Sequence, residues 1–126
     1  MIMNNKLLYN QKNKKDLIKD LNNENFKRLT LSFYKYTNLD DLENLRNKLF
    51  VDWRKLNVLG RVYIASEGIN AQISIPEHNI KKFKTKLTSN KKFKDVQFKN
   101  AFIEGQSFLK LTIKVKNEIV AYNISN

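Results

Sequence analysis

The sequence predicts an α+β fold of the ferredoxin-like, split βαβ type: an antiparallel sheet with two helices on one face, plus a short N-terminal helix and an extra short strand. Three observations predict it. Four stretches alternate apolar and polar residues with the period of two that a half-buried strand requires. Two stretches carry apolar residues every three or four positions, as an amphipathic helix does. These segments follow one another as strand, helix, strand, strand, helix, strand, with the extra short strand before the last.

Each element has its own warrant. Residues 1–27 form a polar N-terminal extension, in which Leu17, Ile18 and Leu21 share one helical stripe. Residues 28–121 form the ferredoxin-like domain, and 122–126 a tail. In "RLTLSFYKY", Leu29, Leu31 and Phe33 face one way and Thr30, Ser32, Tyr34 and Tyr36 the other. Leu42, Leu45, Leu49, Trp53 and Leu56 then step by three or four, with Asn38 or Asp40 placed to cap the helix start. In "VLGRVYIAS", Val62 and Ile64 oppose Arg61 and Tyr63. In "NAQISI", Ala71, Ile73 and Ile75 oppose Gln72 and Ser74. The short link Glu67-Gly68-Ile69 makes these two strands an antiparallel hairpin. Pro76 opens a second helix with the stripe Ile80, Phe83 and Leu87. Finally "DVQFKNAF" and "SFLKLTIKVKNEIV" read as strands joined through Gly105, the longer one alternating Leu109, Leu111, Ile113 and Val115 with Phe108, Lys110, Thr112, Lys114 and Lys116.

At 126 residues and 41% hydrophobic content the chain fits one folded domain. No apolar run approaches the ~20 residues of a membrane span, and the first residues do not read as a secretory signal. There is no cysteine, hence no disulfide and no thiolate nucleophile. A cytoplasmic location follows as the expectation. The formal charge is +12, from 24 Lys and Arg against 12 Asp and Glu. Such an excess suits a polyanionic partner. It equally suits AT-biased codons, because 20 of the basic residues are Lys and Asn occurs 18 times. Only the placement of the charges separates the two.

That placement centres on the sheet face that the two helices leave open. Its outward residues are Tyr34, Tyr36, Arg61, Tyr63, Gln72, Ser74, Lys110, Lys114 and Lys116. Tyrosines interleaved with cations are what single-stranded nucleic acid requires: rings stack on bases and cations meet phosphates. The residues expected to contact RNA are Tyr34, Tyr36, Arg61, Tyr63, Lys110 and Lys114. Cover by another domain, or plain solvated surface, explains the same composition, and the Gly- and Phe-rich signature of RNA-recognition domains is missing. A second cluster places seven Lys within residues 81–94, either a solvated helix face or a backbone contact.

Catalytic constellations are scarce. His78 is the only histidine, at a helix start, and suits a surface or capping role. No Ser/His/Asp or Cys/His set can be assembled, and no carboxylate cluster suits a metal. Acylphosphatase chemistry needs a Gly-rich phosphate loop after the first strand, where this chain reads "KYTNLDD". That leaves "EGIN". Gly68 supplies the positive φ of a tight hairpin and Asn70 bonds the turn backbone. Glu67 stands open: turn amides, Arg61 and Lys35 are all candidate partners.

The run "LNVLGRVYIASEGINAQISIPEHNIKKFKTKL", residues 56–87, resembles the N-terminal domain of the bacterial rhodanese-related tRNA uridine hydroxylases. "LSFYKYTNLDDLENLRNKL" and "GQSFLKLTIKVKNEIVA" resemble that family's first strand and helix and its last strand, so the match spans roughly residues 28–121. The hairpin motif Glu67, Gly68, Ile69, Asn70 is its most specific part. The resemblance implies oxygen-dependent 5-hydroxylation of the wobble uridine of tRNA, with tRNA as partner and molecular oxygen as co-substrate. No other cofactor is implied for this chain, nor any membrane or DNA specificity. It further implies a rhodanese-like partner domain holding the family's cysteine. This chain departs there: it has no cysteine, and Tyr122–Asn123 replace the family's Asp-Gly. The expectation is therefore an oxidoreductase family member that supplies a tRNA-holding domain, read as a fragment, a split product or a gene remnant. The alternative is a non-catalytic RNA-binding module, or a remnant that packs on a separate domain.

Overall fold

The computed structural model describes residues 13–100 and 108–119. Chain order runs α1 (Lys14–Asn22), β1 (Arg28–Tyr36), α2 (Leu42–Lys55), β2 (Leu59–Ala65), β3 (Gly68–Pro76), α3 (Ile80–Thr88), β4 (Lys99–Asn100) and β5 (Leu111–Val115). Gly105, the last residues of "DVQFKNAF", the start of the N-terminal extension and the 122–126 tail lie outside the described residues.

The helices and the first three strands form where their patterns place them, while β4 and β5 are shorter than the stretches "DVQFKNAF" and "SFLKLTIKVKNEIV" suggested. Asn13 caps α1, its side chain accepting from the Asp16 amide at 2.9 Å. The α2 helix starts later than the Asn38 or Asp40 cap expected. Asp41 is its capping residue, at φ 50°, and its carboxylate accepts from the Asn44 side chain at 2.8 Å rather than from a helix amide. The helix ends where Asn57 adopts φ 60° and the Val58 amide turns back to the Trp53 carbonyl.

The sheet order is β4-β1-β3-β2-β5. The first four strands in that order are the ferredoxin-like sheet, with β1–β3, β2–β3 and β1–β4 all antiparallel. Two details correct the expectation. The short strand β4, not the long one, takes the fourth place beside β1. The long last strand joins the opposite edge and runs parallel to β2, from Gly60↔Leu111 to Ile64↔Val115, so the sheet is mixed. Residues 91–98 account for the shortness of β4. Phe93 and Val96 are buried and Phe98 packs on the core, so this segment plugs the helix layer instead of extending as a strand.

The core lies between the sheet and the helices α2 and α3. Leu31 and Phe33, Val62 and Ile64, and Ala71, Ile73 and Ile75 line it from the sheet, as their alternation predicts, whereas Leu29, expected with them, is 43% exposed near the start of β1. Leu49, Phe50, Trp53, Phe83 and Leu87 meet them from the helices. Phe33, Trp53 and Phe83 interlock at centroid distances of 6.5, 6.3 and 5.0 Å, in tilted and edge-on geometries that aromatic rings prefer. Phe50 was not part of the expected stripe; it is fully buried and carries the Arg46 guanidinium 4.8 Å over its ring. Arg46 also donates to the Ile113 carbonyl at 2.9 Å, tying α2 to β5.

The opposite face is less bare than expected. α1 borders its β2–β5 corner, where Lys14 and Leu17 share a hollow of ≈ 450 Å³ with Arg61, Phe108, Leu109, Lys110 and Thr112. The Leu17, Ile18, Leu21 stripe is only half-buried there.

Candidate nucleic-acid interface

Cross-strand register sets out the open face as rows. Lys99, Ser32, Gln72, Arg61 and Thr112 form one row across all five strands. Tyr34, Asn70, Tyr63 and Lys114 form the next. The face thus carries a cation at each edge, Lys99 and Lys114, and Arg61 between them. Lys99 was not among the expected contacts. Its signal was the alternation with the inward Phe98, hidden because the strand around it is only two residues long.

The expected RNA-contact residues share this face but not one pocket. Tyr34 and Tyr36 are 40% and 55% exposed and meet edge to face at 5.5 Å. Arg61 is exposed, with its guanidinium 5.6 Å over the Phe108 ring. Tyr63 is half-buried under the Lys116 ammonium, 5.2 Å from its ring centre. Lys110, just before β5, and Lys114 on it are exposed. Arg61, Tyr63, Asn70 and Gln72 together line a polar hollow of ≈ 230 Å³.

The "EGIN" motif divides into four separate jobs. The link between β2 and β3 is Ser66–Glu67, one step earlier than expected, and Gly68 and Ile69 already belong to the β3 ladder. Gly68 is required less by the turn than by its neighbour. A Cβ there would stand 2.0 Å from the Lys35 carbonyl oxygen, and its φ is +151°. Ile69 is fully buried in the core. Asn70 points to the open face and is 3% exposed.

Glu67 has a partner that was not among the candidates considered. Its Oε1 accepts from the Ile119 amide at 2.6 Å. The backbone around it holds the chain on the other side: the Thr37 amide donates to the Glu67 carbonyl and the Leu39 amide to the Ser66 carbonyl, both at 2.9 Å. The Lys116 amide extends the β5 ladder onto the Ile64 carbonyl at 2.7 Å. One turn therefore secures the loop after β1 and the segment after β5. Arg61 and Lys35 do other work. Lys35 pairs with Asp95 at 2.8 Å, and that hydrogen bond is the main cause holding the Asp95 carboxyl below 3.8.

The Lys-rich segment is exposed along α3 and beyond. Lys86 shares Asp52 with Lys48, at 3.5 and 2.9 Å, and Lys84 lies 5.0 Å over the Phe98 ring. Burial pushes the Asp52 carboxyl up, but the hydrogen bonds and charges of Lys48 and Lys86 outweigh it and hold the group below 3.8. His78 sits exposed in the 3₁₀ turn before α3, edge-on to Phe26 at 5.3 Å. Among the described residues no three His, Cys, Asp or Glu side chains come together as a metal site, and no helix is long and apolar enough to cross a membrane.

Residues 28–119 match the family model described as the UPF0176 acylphosphatase-like domain. The chain belongs to that family. It is 50% identical over 120 residues to a tRNA uridine(34) hydroxylase of Leptospira interrogans, covering 94% of this chain and 33% of that protein. It is 42% identical to the hydroxylase of Hamiltonella defensa and 41% to that of Photorhabdus laumondii, in each case over 95% of this chain. The chain spans about a third of the length of these curated relatives.

Proposed function

We propose that the chain serves tRNA modification as the RNA-holding domain of a tRNA uridine hydroxylase. One observation carries this reading. A sequence 50% identical over nearly its whole length to a protein of that name folds with two solvent-exposed tyrosines and a band of cations on one sheet face. Stacking on Tyr34 and Tyr36 and phosphate contacts from Arg61, Lys99, Lys110 and Lys114 hold the RNA. The reaction served is 5-hydroxylation of the wobble uridine, with molecular oxygen as co-substrate, in the cytoplasm. The chemistry itself belongs to a rhodanese-like domain or protein, since this chain carries no cysteine.

The test is nucleoside mass spectrometry of tRNA from a bacterium without its own hydroxylase that expresses this chain alone. The expected result is no 5-hydroxyuridine from a soluble chain. The chain should bind tRNA with a log–log salt slope of about −0.7 per single-strand phosphate contact. Recovery of the nucleoside would overturn the division of labour and make the chain a complete enzyme.

A further inference from the structure

Codon bias raises the Lys count along the whole chain, but it does not choose which surface keeps its carboxylates. Helix α2 sets Glu43 and Asp52 among its four cations. Helix α3 and the turn that follows it carry seven Lys between residues 80 and 94 and no Asp or Glu. This arrangement works against the helix. Lys81 and Lys82 occupy the first turn of α3, where the helix dipole favours a carboxylate, and none is there. Lys82 and Lys86 stand four residues apart and repel. A bound polyanion reverses the sign of both effects.

The backbone under these lysines is anchored. Phe93 and Val96 are buried. The Asn90 side chain accepts from the Lys92 amide at 2.9 Å, and the Phe93 amide donates to the Asn90 carbonyl at 2.9 Å. Lys91, Lys92 and Lys94 therefore project from fixed positions around Phe93, and all three are exposed. Two contacts lay the next residues beside β1: Asp95 pairs with Lys35 at 2.8 Å, and the Phe98 ring stands 5.2 Å from that of Phe33. Lys94 thereby comes to the end of β1 that carries Tyr36. Lys99, one residue past Phe98, faces the open side in the row of Ser32 and Arg61. Lys84 lies 5.0 Å from the Phe98 ring on the helix side. Cations thus stand on both sides of the β4 edge. Asp95 is the one carboxylate in residues 80–100, and Lys35 already holds it.

We infer that the β4 edge, with Lys84, Lys91, Lys92 and Lys94, is a second phosphate-binding surface, over which an RNA strand lying on the open face continues onto the helix side. The inference rests on the RNA-holding reading and extends it from one face to two. Tyr34 and Tyr36 belong to β1, the strand next to this edge. A strand stacked on them meets Lys99 and Lys94 as it leaves the sheet. The contacts are to phosphate and blind to the base, because an ammonium is a compact point charge and phosphate contacts carry no sequence information.

The test titrates an oligouridylate of about 16 nucleotides, the upper site size of a single-strand-binding fold, against the full chain by fluorescence anisotropy over a range of salt. Two double variants lower the net charge equally. Lys91→Gln/Lys94→Gln alters the edge; Lys27→Gln/Lys55→Gln, both exposed, before β1 and at the end of α2, is the control. The edge variant should lower the log–log salt slope by about 1.4, two single-strand contacts at about 0.7 each, with affinity at low salt down about tenfold. The control should keep the wild-type slope, and so should Lys91→Arg/Lys94→Arg, which restores the charge. If the edge variant does not fold by circular dichroism, Lys94→Gln alone should show half the change in slope. An edge variant with the wild-type slope overturns the second surface. An equal loss in the control also overturns it, since affinity then follows net charge and not place. Both outcomes leave the RNA-holding reading standing, because wild type still binds. Failure of wild type to bind either the oligouridylate or tRNA overturns that reading and this one with it.

Discussion

The two faces of the sheet are built from the same strands and obey different rules. On the helix side, Phe33, Ile64, Ile73 and Ile75 are sealed against α2 and α3 in an all-hydrophobic cluster among the described residues. On the open side, one residue along from each, stand Tyr34, Tyr63, Gln72 and Ser74. On the RNA-holding proposal, strand alternation thus separates stability from recognition at single-residue resolution. A change on one face should alter folding and leave affinity alone; a change on the other should do the reverse.

The largest test of that separation is Trp53→Ala. It removes the largest ring of the aromatic cluster, the one wedged against Phe33 and Phe83, and should cost about 3–5 kcal/mol in denaturant unfolding, with RNA affinity per folded molecule unchanged. Gly68→Ala breaks the comparison from the backbone. Its new Cβ collides with the Lys35 carbonyl, and a loss of about 3 kcal/mol is expected from strain at one position. Tyr36→Ala sharpens the comparison from the other side: RNA binding should weaken by about 1–3 kcal/mol, while the unfolding midpoint moves little because the ring is more than half exposed. An unchanged affinity would remove Tyr36 from the interface.

Two smaller effects lie at the margins of the faces. Glu67→Gln keeps an acceptor for the Ile119 amide but loses its charge. It should cost about 1 kcal/mol and speed hydrogen exchange at the Ile119 amide while the amides of the sheet keep their protection. The least is the Asp52 cluster on the helix side. A carboxyl held below 3.8 when folded contributes stability that is present above pH 3.8 and lost as pH falls through the lower folded value. Lys48→Met should remove about 0.3–0.5 kcal/mol near neutral pH and none in strong acid, read from thermal melts across that range.

The helix-side face was legible in the sequence because it depends on local periodicity. Leu31, Phe33, Val62, Ile64, Ala71, Ile73 and Ile75 each announce their side by their neighbours' polarity. What periodicity reports is which way a residue faces, not which strand lies beside it. Hence the alternation of residues 111–115 was clear while their parallel pairing with β2 was not. The open face was legible in composition, through Tyr34, Tyr36, Arg61 and Tyr63, and less so in assembly. The rows that bring Lys99 into line with Arg61, and Gln72 beside it, arise from register between distant strands. The Glu67–Ile119 bond spans 52 positions, and the reason for Gly68 is a carbonyl on β1. Neither leaves a local trace.

The parallel pairing of β5 also has a meaning in time. Gly60 must wait for Leu111, about 50 residues later, before its strand gains its outer neighbour. At synthesis rates of ~5–20 residues per second that interval is roughly 3–10 s. Throughout it the sheet β1-β3-β2 can already form, since its hairpin is tight, yet β2 presents a bare edge to any passing strand. Pairing across so long a loop is slow as well as late. The row ends Thr112 and Lys114 arrive with β5, and the Glu67 carboxylate closes on Ile119 only after them. The nascent chain therefore completes both faces of the sheet together and late, because Leu111 and Ile113 of the core arrive on the same strand as Lys114.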